Sequence, residues 1–263
     1  MIVDSHCHAS SRWYEPVDTL LFNMDRCGVD RAILVQLLGS TDNGDMIAAC
    51  RVHPDRFAFI GAIDPDATES VDAVGRAVDD GACGLRMRAG WRRGGGDPLA
   101  LWRVVERSGL RVSLVGTADS FTDRRLAEIA EACPNLPILL EHMAGLARPD
   151  AGDRAAMQPA VCALARYPNL HVKIGGLGQV APRRVDVHDE DGPLDLADLS
   201  ALFAPLIAAF GPDRLLWGSD FPPVAAREGY ANALDWTRRF IGEHWPDAIA
   251  SCFGDTARRI FTF

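Results

Sequence analysis

The chain has 263 residues, 48% of them hydrophobic and 24% charged, with 27 Lys and Arg against 36 Asp and Glu and a formal net charge of −9. That composition excludes fibrous and disordered classes, and no apolar run approaches the roughly 18 residues of a bilayer span, so no membrane association is expected. An acidic field repels phosphate backbones, which excludes nucleic acid as a partner.

In chain order, the first strand is predicted over residues 2–5, entered without the basic stretch and apolar core of a signal peptide. The expected location is the cytoplasm, and seven scattered cysteines with no C-x-x-C pair fit reduced thiols there. Val17, Leu20, Leu21 and Met24 then recur at helical spacing before Gly28, and a second strand is predicted over 32–36. The alternation continues with a helix at 46–52, a strand at 57–63, and Val71, Val74 and Val78 at helical spacing before Gly81. It runs on through a strand at 83–87, a helix at 99–108, a strand at 111–115 and a helix at 123–132. Strand 137–141, helix 155–167, strand 171–174, helix 196–210, strand 215–217 and helix 230–241 complete the series.

Three architectures use such a repeat: a solenoid, a doubly wound sheet and a closed barrel. The L-x-x-L-x-L signature of the first is missing, and no G-x-G-x-x-G follows the first strand to support the second. Eight units predict a single-domain (β/α)8 barrel over residues 1–263. The loops 88–98 and 175–195 follow the fourth and seventh strands, so both belong at the strand C-terminal rim, where barrel active sites are built.

Side chains alternate along a strand, so His6 and His8 point the same way into the barrel mouth. Neutral imidazoles at that spacing can chelate one divalent ion, zinc above all; equally, they can be polar residues of a strand end. Asp220 follows the buried segment Leu215-Leu216-Trp217, and closure of a barrel brings the last strand beside the first, hence Asp220 beside His6 and His8. His142, at the end of the sixth strand, should face the same mouth.

These segments belong to a wider pattern: Val3-Asp4-Ser5-His6-Cys7-His8, Gly84-Leu85-Arg86, Glu141-His142-Met143-Ala144-Gly145, Val172-Lys173-Ile174-Gly175-Gly176, Trp217-Gly218-Ser219-Asp220-Phe221-Pro222 and Thr256-Ala257-Arg258-Arg259-Ile260-Phe261. Together they resemble the amidohydrolase superfamily, and more closely its amidohydrolase-related (amidohydrolase 2) branch of metal-dependent hydrolases, which includes lactonases. The similarity spans the chain. It implies an enzyme with a mononuclear metal site or its vestige, hydrolysing an ester, lactone or amide, although some relatives decarboxylate. One divalent ion, zinc, would sit on His6, His8, Asp220 and His142. Relatives with a full site commonly end the fifth strand on histidine, whereas Val112-Ser113-Leu114-Val115-Gly116-Thr117 offers none. Metal-independent lactonases in this branch suggest a second version, in which His6, His8 and His142 polarise the carbonyl by hydrogen bonds. Asp220 is the general acid/base in both, and His142 is the second catalytic residue.

Arg86, ending the fourth strand, is expected to bind a substrate carboxylate; the alternative is an ion pair with a neighbouring acid. Arg88, Arg92 and Arg93 would add a basic patch, so the expected partner is a small anionic molecule. Lys173 either contacts substrate or Asp220, or is ion-paired inside the barrel. His171 should sit at the opposite rim, His53 and His244 at helix ends or the surface, and His188 in an acidic lid with Asp186, Asp189, Glu190 and Asp191. Cys7 should pack rather than ligate. The competing functions are a metal-dependent decarboxylase, a two-metal nuclease, disfavoured by Arg86 where a bridging acid is needed, and an inactive barrel that binds a small acid. A homo-oligomer is compatible with every one of these readings.

Overall fold

The computed structural model describes residues 1–92, 96–148, 150–182, 194–195 and 199–261. Among them, strands β1 (Val3–Cys7), β2 (Arg31–Val35), β3 (Phe57–Gly61), β4 (Gly84–Met87), β5 (Arg111–Leu114), β6 (Ile138–Leu140), β7 (Leu170–Ile174) and β8 (Leu215–Trp217) form one 8-stranded parallel sheet in sequence order. Helices such as Val17–Cys27, Ser70–Asp79, Arg124–Ala132 and Tyr230–His244 connect and cover the strands. This is the (β/α)8 barrel that the repeat predicts.

Helices cover the outer faces and the strands' own side chains fill the interior, which is why the strands read as nearly unbroken apolar runs. Val3, Ile33, Val35, Ile60, Leu139 and Leu216 form an inner cluster, closed by Ala257, Ile260 and Phe261 of the C-terminal segment. Leu34, Phe59, Leu85 and Val112 instead join Leu20, Val74, Trp102 and Phe203 in the core between sheet and helices. With apolar residues packing the inner cluster, the buried polar groups His6, His8, Arg86, Ser113 and Lys173 are left for the layer towards the mouth.

The seam differs from a simple pairing of the last strand with the first. No ladder joins β8 to β1 among the described residues; the contact is made beyond β8, where Cys7 and Phe221 form a single parallel bridge. Asp220 N–H donates to His6 O (2.8 Å) and His8 N–H to Phe221 O (2.7 Å). Gly218 permits this approach, since a Cβ there would lie 2.7 Å from His6 Cβ.

Helix boundaries shift where local chemistry intervenes. The helix predicted over 155–167 is Arg154–Ala163, capped by Asp153 accepting from Ala156 N–H, followed by a 3-10 turn, Leu164–Arg166. The predicted start at 196 falls outside the described residues, and the observed helix is Leu199–Phe210. A short helix, Ala118–Thr122, follows β5 without a forewarning pattern.

Candidate active site

An extra residue in β1 opposite β2 makes a bulge between Asp4 and Cys7. Beyond it Cys7 packs into the helix-side core, and His6 and His8 are buried in the mouth with their rings 5.0 Å apart. Asp220 arrives across the seam on a left-handed backbone (φ 48). Its Oδ1 lies 3.0 Å from His8 Nε2 and 3.6 Å from His6 Nε2. The three predicted groups therefore do meet, with one ligand atom from each within 4.8 Å of the others.

His8 Nδ1 donates to Val35 O (2.6 Å), so in the neutral ring Nε2 is a bare lone pair facing a carboxylate oxygen. Two acceptors at that distance need a cation between them, either a proton on Nε2 or a metal ion. His6 Nε2 is buried and has no hydrogen-bond partner. Burial holds the His6 imidazole well below its usual pKa, with the Lys173 charge acting in the same direction. Burial alone would raise Asp220, but the His8 hydrogen bond and neighbouring positive charge outweigh it and keep the carboxyl below its usual range.

His142 sits close by without joining that trio. Its Nδ1 is 3.8 Å from Asp220 Oδ2, and its ring centroid 5.9 Å from that of His6. It opens a run of left-handed residues, His142, Met143 and Ala144 (φ 53, 55 and 53), ending at Gly145. A Cβ on Gly145 would lie 2.3 Å from Ala118 N, so only glycine fits. Among the described residues, the positive-φ non-glycines are these three and Asp220. Each conformation costs about 1 kcal/mol or more, and strain of this kind gathers at functional sites.

Deeper in the mouth, Arg86 pairs bidentately with Glu141 (Nε–Oε1 3.0 Å, Nη2–Oε2 2.6 Å) and donates from Nη1 to Gln36 O. Ser113 Oγ donates to Glu141 Oε1 (2.7 Å), and Lys173 Nζ donates to Ser113 Oγ (2.9 Å) while lying 3.1 Å from His6 Nδ1. Burial pushes Glu141 up, but the Arg86 guanidinium more than reverses this and brings it down to about 2. Burial also pulls Lys173 down to about 8. A neutral Lys173 accepts the His6 Nδ1 proton and frees Nε2 as a ligand; an ammonium donates to Nδ1 and leaves the proton on Nε2. Arg86 thus adopts the ion-pair arrangement, with two of its five N–H bonds left over, and Lys173 touches His6 rather than Asp220.

Sequence reasoning missed four contributors. Glu141 precedes His142 and Ser113 lies in the fifth-strand segment that lacks a histidine, but neither carries a spacing signal. Gln179 follows the Gly175-Gly176 pair and donates to both Asp220 Oδ2 and His142 Nδ1 (3.1 Å each). Tyr14 stacks on His8, centroids 4.9 Å apart at 19°. Other expectations resolve simply. Arg92 turns onto Ala89 O, Arg125 O and Glu128, whereas Arg88 is exposed. Arg93 and His188, with its acidic neighbours, lie outside the described residues. His53 caps the helix Gly44–Val52, His244 ends Tyr230–His244, and His171 lies on β7 against Asn169 O. No helix among the described residues is long and apolar enough to cross a membrane.

A sequence model of the amidohydrolase family matches residues 3–263. The chain belongs to the amidohydrolase family. The L-fucono-1,5-lactonase of Burkholderia ambifaria is 35% identical to this amidohydrolase over 141 residues, 50% of this chain and 43% of the lactonase, so the match spans less than half the length of that relative. The 4-sulfomuconolactone hydrolase of Hydrogenophaga intermedia is 26% identical over 224 residues, 82% of this chain and 69% of that one. An amidohydrolase from Burkholderia multivorans, solved with bound zinc, shares the fold at a TM-score of 0.78 and 17% identity, covering 99% of this chain and 98% of its own. In this amidohydrolase the orphaned His6 Nε2, the bare His8 Nε2 and Asp220 Oδ1 make a donor set that fits one divalent ion.

Proposed function

We propose that this amidohydrolase hydrolyses a lactone or related carboxylic ester of a small, anionic substrate. The observation that carries the reading is the convergence of His6, His8 and Asp220 beside a cavity of about 10 Å³, the room of one water molecule. The names of the two lactone-hydrolysing relatives support the class of bond. His6, His8 and Asp220 would hold one divalent ion, zinc by its nitrogen and oxygen ligands, and such an ion supplies carbonyl polarisation and a more acidic water.

The chain's own residues carry the proton. Asp220, held ionised at neutral pH, accepts it from the attacking water and returns it to the leaving oxygen. His142, lining the same cavity, donates an N–H to the carbonyl oxygen as negative charge builds there. The N–H bonds of Arg86 that Glu141 and Gln36 leave over orient a substrate carboxylate. A rim cavity of about 510 Å³, lined by Arg88 and Trp91 with Asp64 and Asp66, offers space for the rest of the molecule.

The test is a panel of lactones and aryl esters followed by proton release, with carbon dioxide evolution monitored in parallel. The expected result is turnover of a lactone without carbon dioxide, and a fall of about 100- to 10,000-fold in kcat for Asp220→Asn with the melting temperature preserved. Near-wild-type hydrolysis by Asp220→Asn removes the assignment, and carbon dioxide release replaces hydrolysis with decarboxylation.

A further inference from the structure

Gln179 stands on a 3-10 turn, Leu177–Gln179, immediately after β7. The turn is fixed from below: Glu228 Oε2 accepts from Gly178 N–H (2.7 Å), and Cβ atoms on Gly176 or Gly178 would collide with the Glu228 carboxylate. The side chain is thereby delivered into the mouth, where its carboxamide nitrogen is 3.1 Å from both Asp220 Oδ2 and His142 Nδ1. The carboxylate accepts only, so the group facing it must be the NH2 and not the amide oxygen. Both amide hydrogens are then committed, one to each partner, and Oε1 is left buried without a partner. Because Nδ1 receives a hydrogen bond it cannot carry a proton, and the proton of the neutral ring belongs on Nε2.

We propose that Gln179 is a positioning residue that locks His142 in its Nε2–H tautomer and fixes the rotation of the Asp220 carboxylate. The kinetic consequence rests on the hydrolytic reading above, in which His142 donates that N–H to the carbonyl oxygen; the tautomer itself does not. Without Gln179, Asp220 Oδ2, 3.8 Å from Nδ1, competes for the ring proton with Glu141 Oε2, 3.8 Å from Nε2, so the Nε2–H form is no longer enforced and the ring can bond the base instead of serving the substrate. A role confined to folding would leave the tautomer unchanged.

The experiment is a long-range proton–nitrogen correlation spectrum of the full chain labelled with 15N-histidine, with the His142 signals assigned by their loss in His142→Gln. Wild type should show an unprotonated Nδ1 and a protonated Nε2. Gln179→Met should invert or mix that pattern and lower kcat/KM about 10- to 100-fold with KM little changed. Gln179→Glu replaces the donor on Nδ1 with an acceptor and should place a proton on Nδ1, as the inverted tautomer or as an imidazolium between the two carboxylates, which keeps the test alive if the methionine variant folds poorly. Nδ1–H in wild type overturns the proposal, as does an unchanged pattern in both variants, or an inverted pattern with kcat/KM within about twofold of wild type. If wild type turns over no ester or lactone, the hydrolytic reading fails alone, and the nitrogen pattern still decides the role of Gln179.

Discussion

Arg86 and Glu141 show how a charge pair inside the mouth changes the meaning of a substitution. Both are buried, and Glu141 is brought to about 2 because Arg86 is there. Arg86→Ala therefore strands a buried carboxylate at a cost of about 3–5 kcal/mol, so lost activity in that variant reports unfolding as readily as lost substrate binding. Arg86→Lys is the more useful change, since it keeps the charge against Glu141 but gives up the planar fork. We expect it to fold, with KM for an anionic lactone raised about tenfold and kcat within about twofold, because one charge-assisted hydrogen bond is worth about 1.5–3 kcal/mol. Steady-state kinetics on matched anionic and neutral lactones checks this. Equal KM changes for the two substrates would confine Arg86 to its ion pair. His6, His8 and Asp220 were legible because strand alternation and barrel closure act on position alone. Glu141 and Ser113 were not, since their roles come from partners on other strands that no local spacing encodes.

At the scale of elements, the β7 loop is a case of glycine pattern without a visible purpose in the sequence. Gly175-Gly176 announces a distorted strand end; only the structure shows that the close approach is made by Glu228, from the helix Ala225–Glu228. The left-handed turn after β6 is harder still, for His142 gives only a weak hint of positive φ and Met143 and Ala144 give none. Glu228 has a measurable consequence. Burial pushes its carboxyl up to about 7; the Gly178 N–H and the Arg227 charge pull the other way without cancelling the shift. Between the ordinary value of 4.5 and about 7 the folded chain binds a proton that the unfolded chain has released. This group's contribution is therefore greatest at low pH and is lost as pH rises towards 7 and beyond. Glu228→Gln removes the titration while keeping an oxygen for Gly178 N–H. The variant should gain on wild type by about 2 kcal/mol more at pH 8 than at pH 4.5. Denaturant midpoints at the two pH values decide it, and an equal difference at both would mean that Glu228 titrates normally.

Across the whole molecule, the repeat of eight units makes the barrel and its strand order readable, because each βα unit carries its own period and its own stop. Closure is different in kind: it joins residues more than two hundred apart, and the structure makes it with a single backbone bridge reinforced by a buried side chain in place of a ladder. Asp4 accepts from Ser219 N–H (2.9 Å), Ser219 Oγ (2.6 Å), Tyr230 OH (3.0 Å) and His6 N–H (3.2 Å). One buried carboxylate thus ties β1, the turn that carries Asp220 and the helix Tyr230–His244. Burial pushes its carboxyl up to about 6, and the four donors keep it from rising further, so Asp4 is ionised at pH 8. Asn at this position can keep an oxygen for the two backbone N–H groups but turns an NH2 to the Ser219 and Tyr230 hydroxyls, which can accept from it yet lose the buried acceptor for their own protons. We expect Asp4→Asn to lose about 2–4 kcal/mol at pH 8, whereas Tyr230→Phe, which removes a single donor, should lose about 1–2 kcal/mol. The seam also sets the distance between Asp220 and the two imidazoles, so Asp4→Asn should lower kcat even at temperatures where it remains folded. Calorimetry and turnover on the same preparation test both halves. A variant that melts with wild type and turns over at the wild-type rate would show that the backbone bonds from Asp220 and His8 hold the seam unaided.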